Sequence, residues 1–101
     1  MILKPGVRLQ GIRPEVVVAL IAAQEIWKSL GVELVVTSCI DGTHSRGSMH
    51  YSGSAVDLRS ANLGTNAVSA TQRLQTALGN DYDVLLETDH IHVEYQPKDP
   101  L

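Results

Sequence analysis

The chain has no phenylalanine, one tryptophan and one cysteine among its 101 residues. With no Phe and a single Trp, its core has to be built mostly from Val, Leu, Ile and Ala. There are enough of these for one small domain over residues 1–101. Chains of this size are often only marginally stable, and a bound metal adds to what burial supplies. Cys39 stands alone, so no internal disulfide can form, which fits a reducing compartment. A basic run is also missing. Eight Lys and Arg face eleven Asp and Glu, for a formal net charge of −3. That balance speaks against nucleic acid or an anionic membrane as a partner. Long hydrophobic runs are absent too. The longest, VVVALIAA over 16–23, is far too short to span a bilayer. It follows Lys4, Arg8 and Arg13 much as the apolar part of a signal peptide follows its charged start. Pro14 and Glu15 directly precede it, however, and suit a helix start. The apolar pattern also continues to Ile26, Trp27 and Leu30, so a core helix is expected there rather than a signal peptide.

What is present reads as an ordered set of short elements. Residues 1–12 look like an extended lead-in broken by Pro5 and Gly6. A helix is predicted over 14–30, with Val16, Leu20, Ala23, Trp27 and Leu30 facing the core and Gly31 ending it. The β-branched run VELVVT over 32–37 reads as a buried strand. Residues 38–54 form a connection long for so small a domain, and such loops are usually functional. Residues 55–59 read as a strand with Val56 and Leu58 on one side and Ala55, Asp57 and Arg59 on the other. After a turn region over 60–64, Thr65 or Asn66 can cap a second helix that ends at Leu78 before Gly79. Ala67, Ala70, Leu74 and Leu78 share one face of it. Strands over 83–87 and 90–95, joined by Thr88 and Asp89, complete the chain before a polar, Pro-rich tail. The order predicts an α+β domain: two helices packed on one face of a mostly antiparallel sheet. A monomer is expected, though the order of elements does not decide it.

Two polar knots interrupt this apolar plan, and all four histidines fall within them. The first is HSRGSMHYSGSAVDLR over 44–59, in which His50 and Asp57 stand seven apart with Gly53 between them. Gly53 can take a turn closed to other residues, so the chain can fold back and bring an imidazole and a carboxylate to one point. The second is ETDHIHVEY over 87–95. On its strand His90 and His92 lie on one face. Both can approach a metal; one ligand and one neighbour is the expectation, with His92 as the ligand. Two imidazoles and a carboxylate, His50, Asp57 and His92, make the donor set of a catalytic zinc site with a position left for water. Imidazole ligands argue against calcium and magnesium, which prefer oxygen shells. Serines at 45, 48, 52 and 54 raise a serine-hydrolase alternative, but none sits in a GxSxG elbow. They suit a role in holding the loop by local hydrogen bonds.

SMHYSGSAVD, residues 48–57, resembles the SxHxxGxAxD motif of the zinc D-alanyl-D-alanine metallopeptidases, a family of carboxypeptidases, dipeptidases and phage endolysins that cut peptidoglycan peptides. The resemblance implies that His50 and Asp57 are zinc ligands. It places the family's late HxH or (E/D)xxH element at 89–92, with His92 as the third ligand. The stretch VTSCIDGTHSRGSMHYSGSAVDL and the later HIH are also similar to the signalling domain of Hedgehog proteins, which shares this zinc fold, with His44 at a corresponding histidine. Many of the peptidases carry an Arg in a GYR-type segment upstream of the motif, which helps hold the substrate oxyanion. Here Cys39-Ile40-Asp41-Gly42 stands in that place, leaving His44 or Arg46 as replacements. Hedgehog's acidic calcium-binding segment is reduced to Asp41, so calcium is not expected.

The resemblance implies a zinc peptidase acting on peptidoglycan stem peptides or cross-links, in which zinc polarises the scissile carbonyl and activates the attacking water. A nearby carboxylate then takes the proton and passes it to the leaving amine. Asp89 stands three before His92, as in the (E/D)xxH spacing, while Glu87 precedes HIH as in the Hedgehog-like pattern. If Thr88 and Asp89 form a two-residue turn, Glu87 and His90 oppose each other and share a face, which favours Glu87 as the base. The alternatives are a non-catalytic zinc-stabilised binding module, as the Hedgehog likeness allows, and a phage structural component with a wall-cutting side role. As a phage-type enzyme it is expected in the cytoplasm of an infected cell or released to the wall through a holin, a partner or a virion.

Overall fold

A computed structural model describes residues 1–39 and 53–97. The first helix, α1 (Pro14–Ser29), opens with Pro14 in its first turn, where a missing N–H costs nothing. Glu15 in the first turn and Lys28 in the last complement the helix dipole. Its end follows from Gly31, whose φ of 70° lets the chain reverse. The Gly31 amide bonds the Lys28 carbonyl and the Val32 amide bonds the Trp27 carbonyl, each at 3.0 Å. That is the Schellman arrangement, and it satisfies carbonyls the helix end would leave bare. Val16, Ala19, Leu20, Ala23, Ile26 and Trp27 form the buried side of α1.

The sheet has five strands: β1 (Ile2–Leu3), β2 (Val35–Ser38), β3 (Ala55–Arg59), β4 (Tyr82–Leu86) and β5 (His90–Tyr95). Their spatial order is β1-β2-β3-β5-β4, antiparallel except for the parallel pair β1 and β2. A 3₁₀ helix at Ala61–Asn66 leads from β3 into α2 (Ala67–Leu78), whose buried residues are Ala70 and Leu74. Both helices pack with Val36, Val56, Leu58, Val84, Ile91 and Val93 in one apolar cluster. Trp27, Leu34, Leu58, Leu74 and Ile91 are its largest fully buried side chains. Each such aliphatic side chain stabilises the fold by about 1.5–3 kcal/mol on transfer from water. The α+β architecture read from the sequence is the one found. Among the described residues, no helix is long and apolar enough to cross a membrane.

Four local features differ from expectation. The lead-in contains β1, whose Ile2 amide bonds the Leu34 carbonyl and whose Lys4 amide bonds that of Val36, at 2.8 and 2.9 Å. Two residues carry no periodicity, so this strand could not be seen in the pattern. The second strand begins at Val35 rather than 32, because Val32 is spent on closing α1. Most of the turn region expected over 60–64 lies in the 3₁₀ helix Ala61–Asn66, which buries Leu63. Finally, β4 starts one residue earlier than expected, at Tyr82, whose hydroxyl donates to the Glu15 carbonyl at 2.9 Å. Burial raises the pKa of that phenol above its ordinary value.

Candidate functional site

The site lies on the sheet face turned away from the helices, and strand alternation puts it there. Val56 and Leu58 of β3, and Ile91 and Val93 of β5, enter the core. Asp57, His90, His92 and Glu94 therefore project from the opposite face. Register then decides who meets whom. Asp57 stands directly opposite His92, Arg59 opposite His90, and Ala55 opposite Glu94. Directly opposed residues share a face and lie within side-chain reach.

This register is fixed at the start of β3. The Arg13 amide bonds the Gly53 carbonyl at 3.0 Å, and the Tyr95 amide bonds the Ser54 carbonyl at 2.8 Å. Gly53 has a φ of 75°, and a Cβ there would meet the Gly11 carbonyl oxygen at 2.5 Å. Only glycine fits both the backbone angle and that close approach. The Arg13 guanidinium also lies 5.9 Å from the centre of the Tyr95 ring, which itself packs on Tyr82 at 5.3 Å. The lead-in and the first turn of α1 thus hold the end of the sheet from which the site is built.

At the centre, the His92 ring lies between two carboxylates, with Nδ1 2.8 Å from Asp57 Oδ1 and Nε2 2.8 Å from Glu94 Oε1. The side chains of His92, Asp57 and Glu94 are 16%, 15% and 17% exposed. The Asp57 hydrogen bond, and to a lesser degree that of Glu94, raises the His92 pKa above its ordinary value, while burial opposes both. His90 approaches the same carboxylate, with Nε2 at 3.8 Å from Asp57 Oδ1. Its other nitrogen donates to Asp89 Oδ1 at 2.7 Å. This bond holds the Asp89 carboxyl below its usual range.

Of the residues expected to form the site, Asp57 and His92 are brought together. His44 and His50 fall outside the described residues, as do Arg46 and the serines at 45, 48 and 52. Among the described residues, no group of three or more His, Cys, Asp or Glu side chains is arranged to hold a metal ion. Asp89 occupies the hairpin turn with its side chain 85% exposed. The Glu87 amide bonds the His90 carbonyl at 2.8 Å, which closes the two-residue turn. Since Leu86 pairs with Ile91, Glu87 is opposed to His90, and its side chain is exposed. Glu94 was missed in the sequence reading. The signal was present, because in HIHVEY the residue two beyond His92 must lie on the same face.

A model of the Hedgehog amino-terminal signalling domain matches residues 8–94. The match takes in α1, α2, β2, β3 and β4 and all but the last residue of β5, and the chain belongs to that family. No curated protein and no solved structure matches it significantly.

Proposed function

We propose that the chain is a zinc-dependent peptidase that hydrolyses peptidoglycan stem peptides or cross-links. The observation that carries the proposal is the meeting of Asp57 Oδ1 and His92 Nδ1 at 2.8 Å on the open face of the sheet. In a tetrahedral zinc site with bonds of about 2.0–2.2 Å, neighbouring donor atoms lie roughly 3.3–3.6 Å apart. The two groups would need to spread by roughly 0.5–0.8 Å to serve as ligands of that kind. The third donor of this reading, His50, lies outside the described residues and comes from the resemblance of residues 48–57 to the SxHxxGxAxD motif. The donor set, two imidazoles and a carboxylate, suits zinc. Bound zinc supplies polarisation of the scissile carbonyl and an activated water.

The chain's own groups then have separable tasks. His50, Asp57 and His92 hold the ion. Glu87, on the face of His90 at the hairpin end, takes the proton from the nucleophile and returns it to the leaving amine. His44 or Arg46 steadies the developing oxyanion. The test is a digest of purified peptidoglycan with mass analysis of the fragments, run as isolated, after chelation and after zinc is restored. Loss of cleavage on chelation and its return with zinc support the proposal. Cleavage that persists after the metal is demonstrably stripped overturns it.

A second reading, a zinc-stabilised binding module without catalysis, is favoured by the match to a signalling domain. It expects zinc at full occupancy, a lower melting temperature after chelation, and no new peptide fragments in the same digest.

A further inference from the structure

We propose that Glu94 is the positioning residue that prepares His92 for the metal, selecting the nitrogen that binds it and strengthening that bond. The inference rests on the zinc reading above. His92 meets Asp57 through Nδ1, so an ion shared by these two side chains takes the Nδ1 lone pair. A neutral imidazole that offers Nδ1 must carry its proton on Nε2. In this structure Nε2 lies 2.8 Å from Glu94 Oε1, so with an ion on the Nδ1 side Glu94 is placed to accept the Nε2 proton and to fix the ring plane. A carboxylate in this place also raises the basicity of the coordinating nitrogen, as carboxylate–histidine–metal arrangements do.

Glu94 is itself held. It stands opposite Asp83 on β4, and the two carboxylates are bridged from the chain just beyond β5. With its amide nitrogen facing them, Gln96 donates to Glu94 Oε2 at 2.9 Å and to Asp83 Oδ2 at 3.2 Å. One oxygen of Glu94 is thus turned to His92 and the other to Gln96. A carboxylate engaged through both oxygens, 17% exposed and two residues from a ligand on the same strand, is placed to orient that ligand rather than to exchange protons with solvent. It is a different group from Glu87 at the hairpin end and from Asp89 in the turn.

Zinc affinity is to be measured by competition against a chelating indicator for the parent chain, Glu94→Gln and Glu94→Ala. Melting temperatures of the metal-free proteins are measured alongside. Glu94→Gln keeps an acceptor but removes the charge, and is expected to weaken zinc binding by about 10-fold; Glu94→Ala removes both and is expected to cost about 100-fold. The metal-free Glu94→Gln protein should melt with the parent, which a merely structural role would not predict. Nitrogen NMR of the zinc-loaded parent gives a readout that needs no variant: His92 should be metal-bound at Nδ1 and protonated at Nε2. Equal zinc affinity in all three proteins, or a metal-bound Nε2, overturns the assignment of Glu94 alone. A parent chain that binds no zinc overturns the metal reading and this inference with it.

Discussion

His90 and His92 sit two residues apart on the same face of the same strand, yet the fold treats them differently. His92 lies opposite Asp57 and lies between two carboxylates that are themselves largely covered. His90 lies opposite Arg59 at the hairpin end, 29% exposed, and its nearest carboxylate is that of Asp89, which stands in solvent. A charge-assisted bond between covered groups is held by its surroundings, whereas one at a turn is screened and free to exchange with water. The difference comes from position along β5 and not from residue type. One histidine is built to be held still, and the other to be reached.

Replacing each histidine in turn is the most severe way to break the comparison. His92→Ala should abolish stoichiometric zinc in metal analysis and lower the melting temperature of the zinc-loaded protein to that of the stripped parent. His90→Ala should keep the ion. Zinc retained at full occupancy in His92→Ala, or lost only in His90→Ala, exchanges the two roles.

Kinetics at the hairpin end sharpen it further. Glu87→Gln should leave zinc content and fold unchanged while reducing turnover by roughly a hundredfold to ten-thousandfold, the usual worth of a general base. Asp89→Asn should cost much less, since that carboxylate serves His90 from the solvent side. The opposite ranking in steady-state assays of both variants moves the base to Asp89.

A smaller effect is expected where β3 is anchored. Gly53→Ala forces a side chain into a positive φ and against the Gly11 carbonyl. It should destabilise the fold by roughly 2–4 kcal/mol, from the backbone term and the overpacking together. Chemical denaturation measures this directly, and a loss of under 0.5 kcal/mol would show that the segments part easily. Smallest is Tyr82→Phe, which removes the hydroxyl that donates to the Glu15 carbonyl at the start of α1. It should cost about 1 kcal/mol of stability with zinc affinity unchanged. A variant of that kind that did weaken zinc binding would mean the two histidines depend on global stability and not on their own neighbours.

Much of this was readable from the sequence where pattern and burial agree. α1 declared itself by Pro14, Gly31 and an apolar stripe, and β3 by the alternation of Val56 and Leu58 with Asp57 and Arg59. The hairpin was visible too, including the opposition of Glu87 and His90. Pattern failed where an element is too short to have a period, as in β1, or where a β-branched residue is taken up in closing a helix, as Val32 is at the end of α1. The site was legible in its residue types, which singled out Asp57 and His92, but not in its partners. Glu94 follows from the alternation of β5, but that Asp57 meets His92 depends on the register of β3 against β5, and a turn-to-turn contact between Gly53 and Gly11 helps to set that register. No local spacing encodes it. The roles expected of His50 and His44 belong to the stretch outside the described residues.

Asp57 and His92 are separated by 35 positions along the chain and meet only through the pairing of β3 with β5. All of α2 lies between them, so the donor pair cannot exist in any fragment that lacks either strand. Non-local pairings of this kind pay their loop-closure entropy before they gain contacts, and so they assemble late and slowly. During refolding the β4–β5 hairpin, closed by a two-residue turn, can form within microseconds, well ahead of the strand that brings Asp57. On the proposed zinc reading, metal capture becomes a report on completed folding. A zinc ion added early in refolding should meet only half a site, and the rate at which the chain becomes able to retain it should measure the docking of β3.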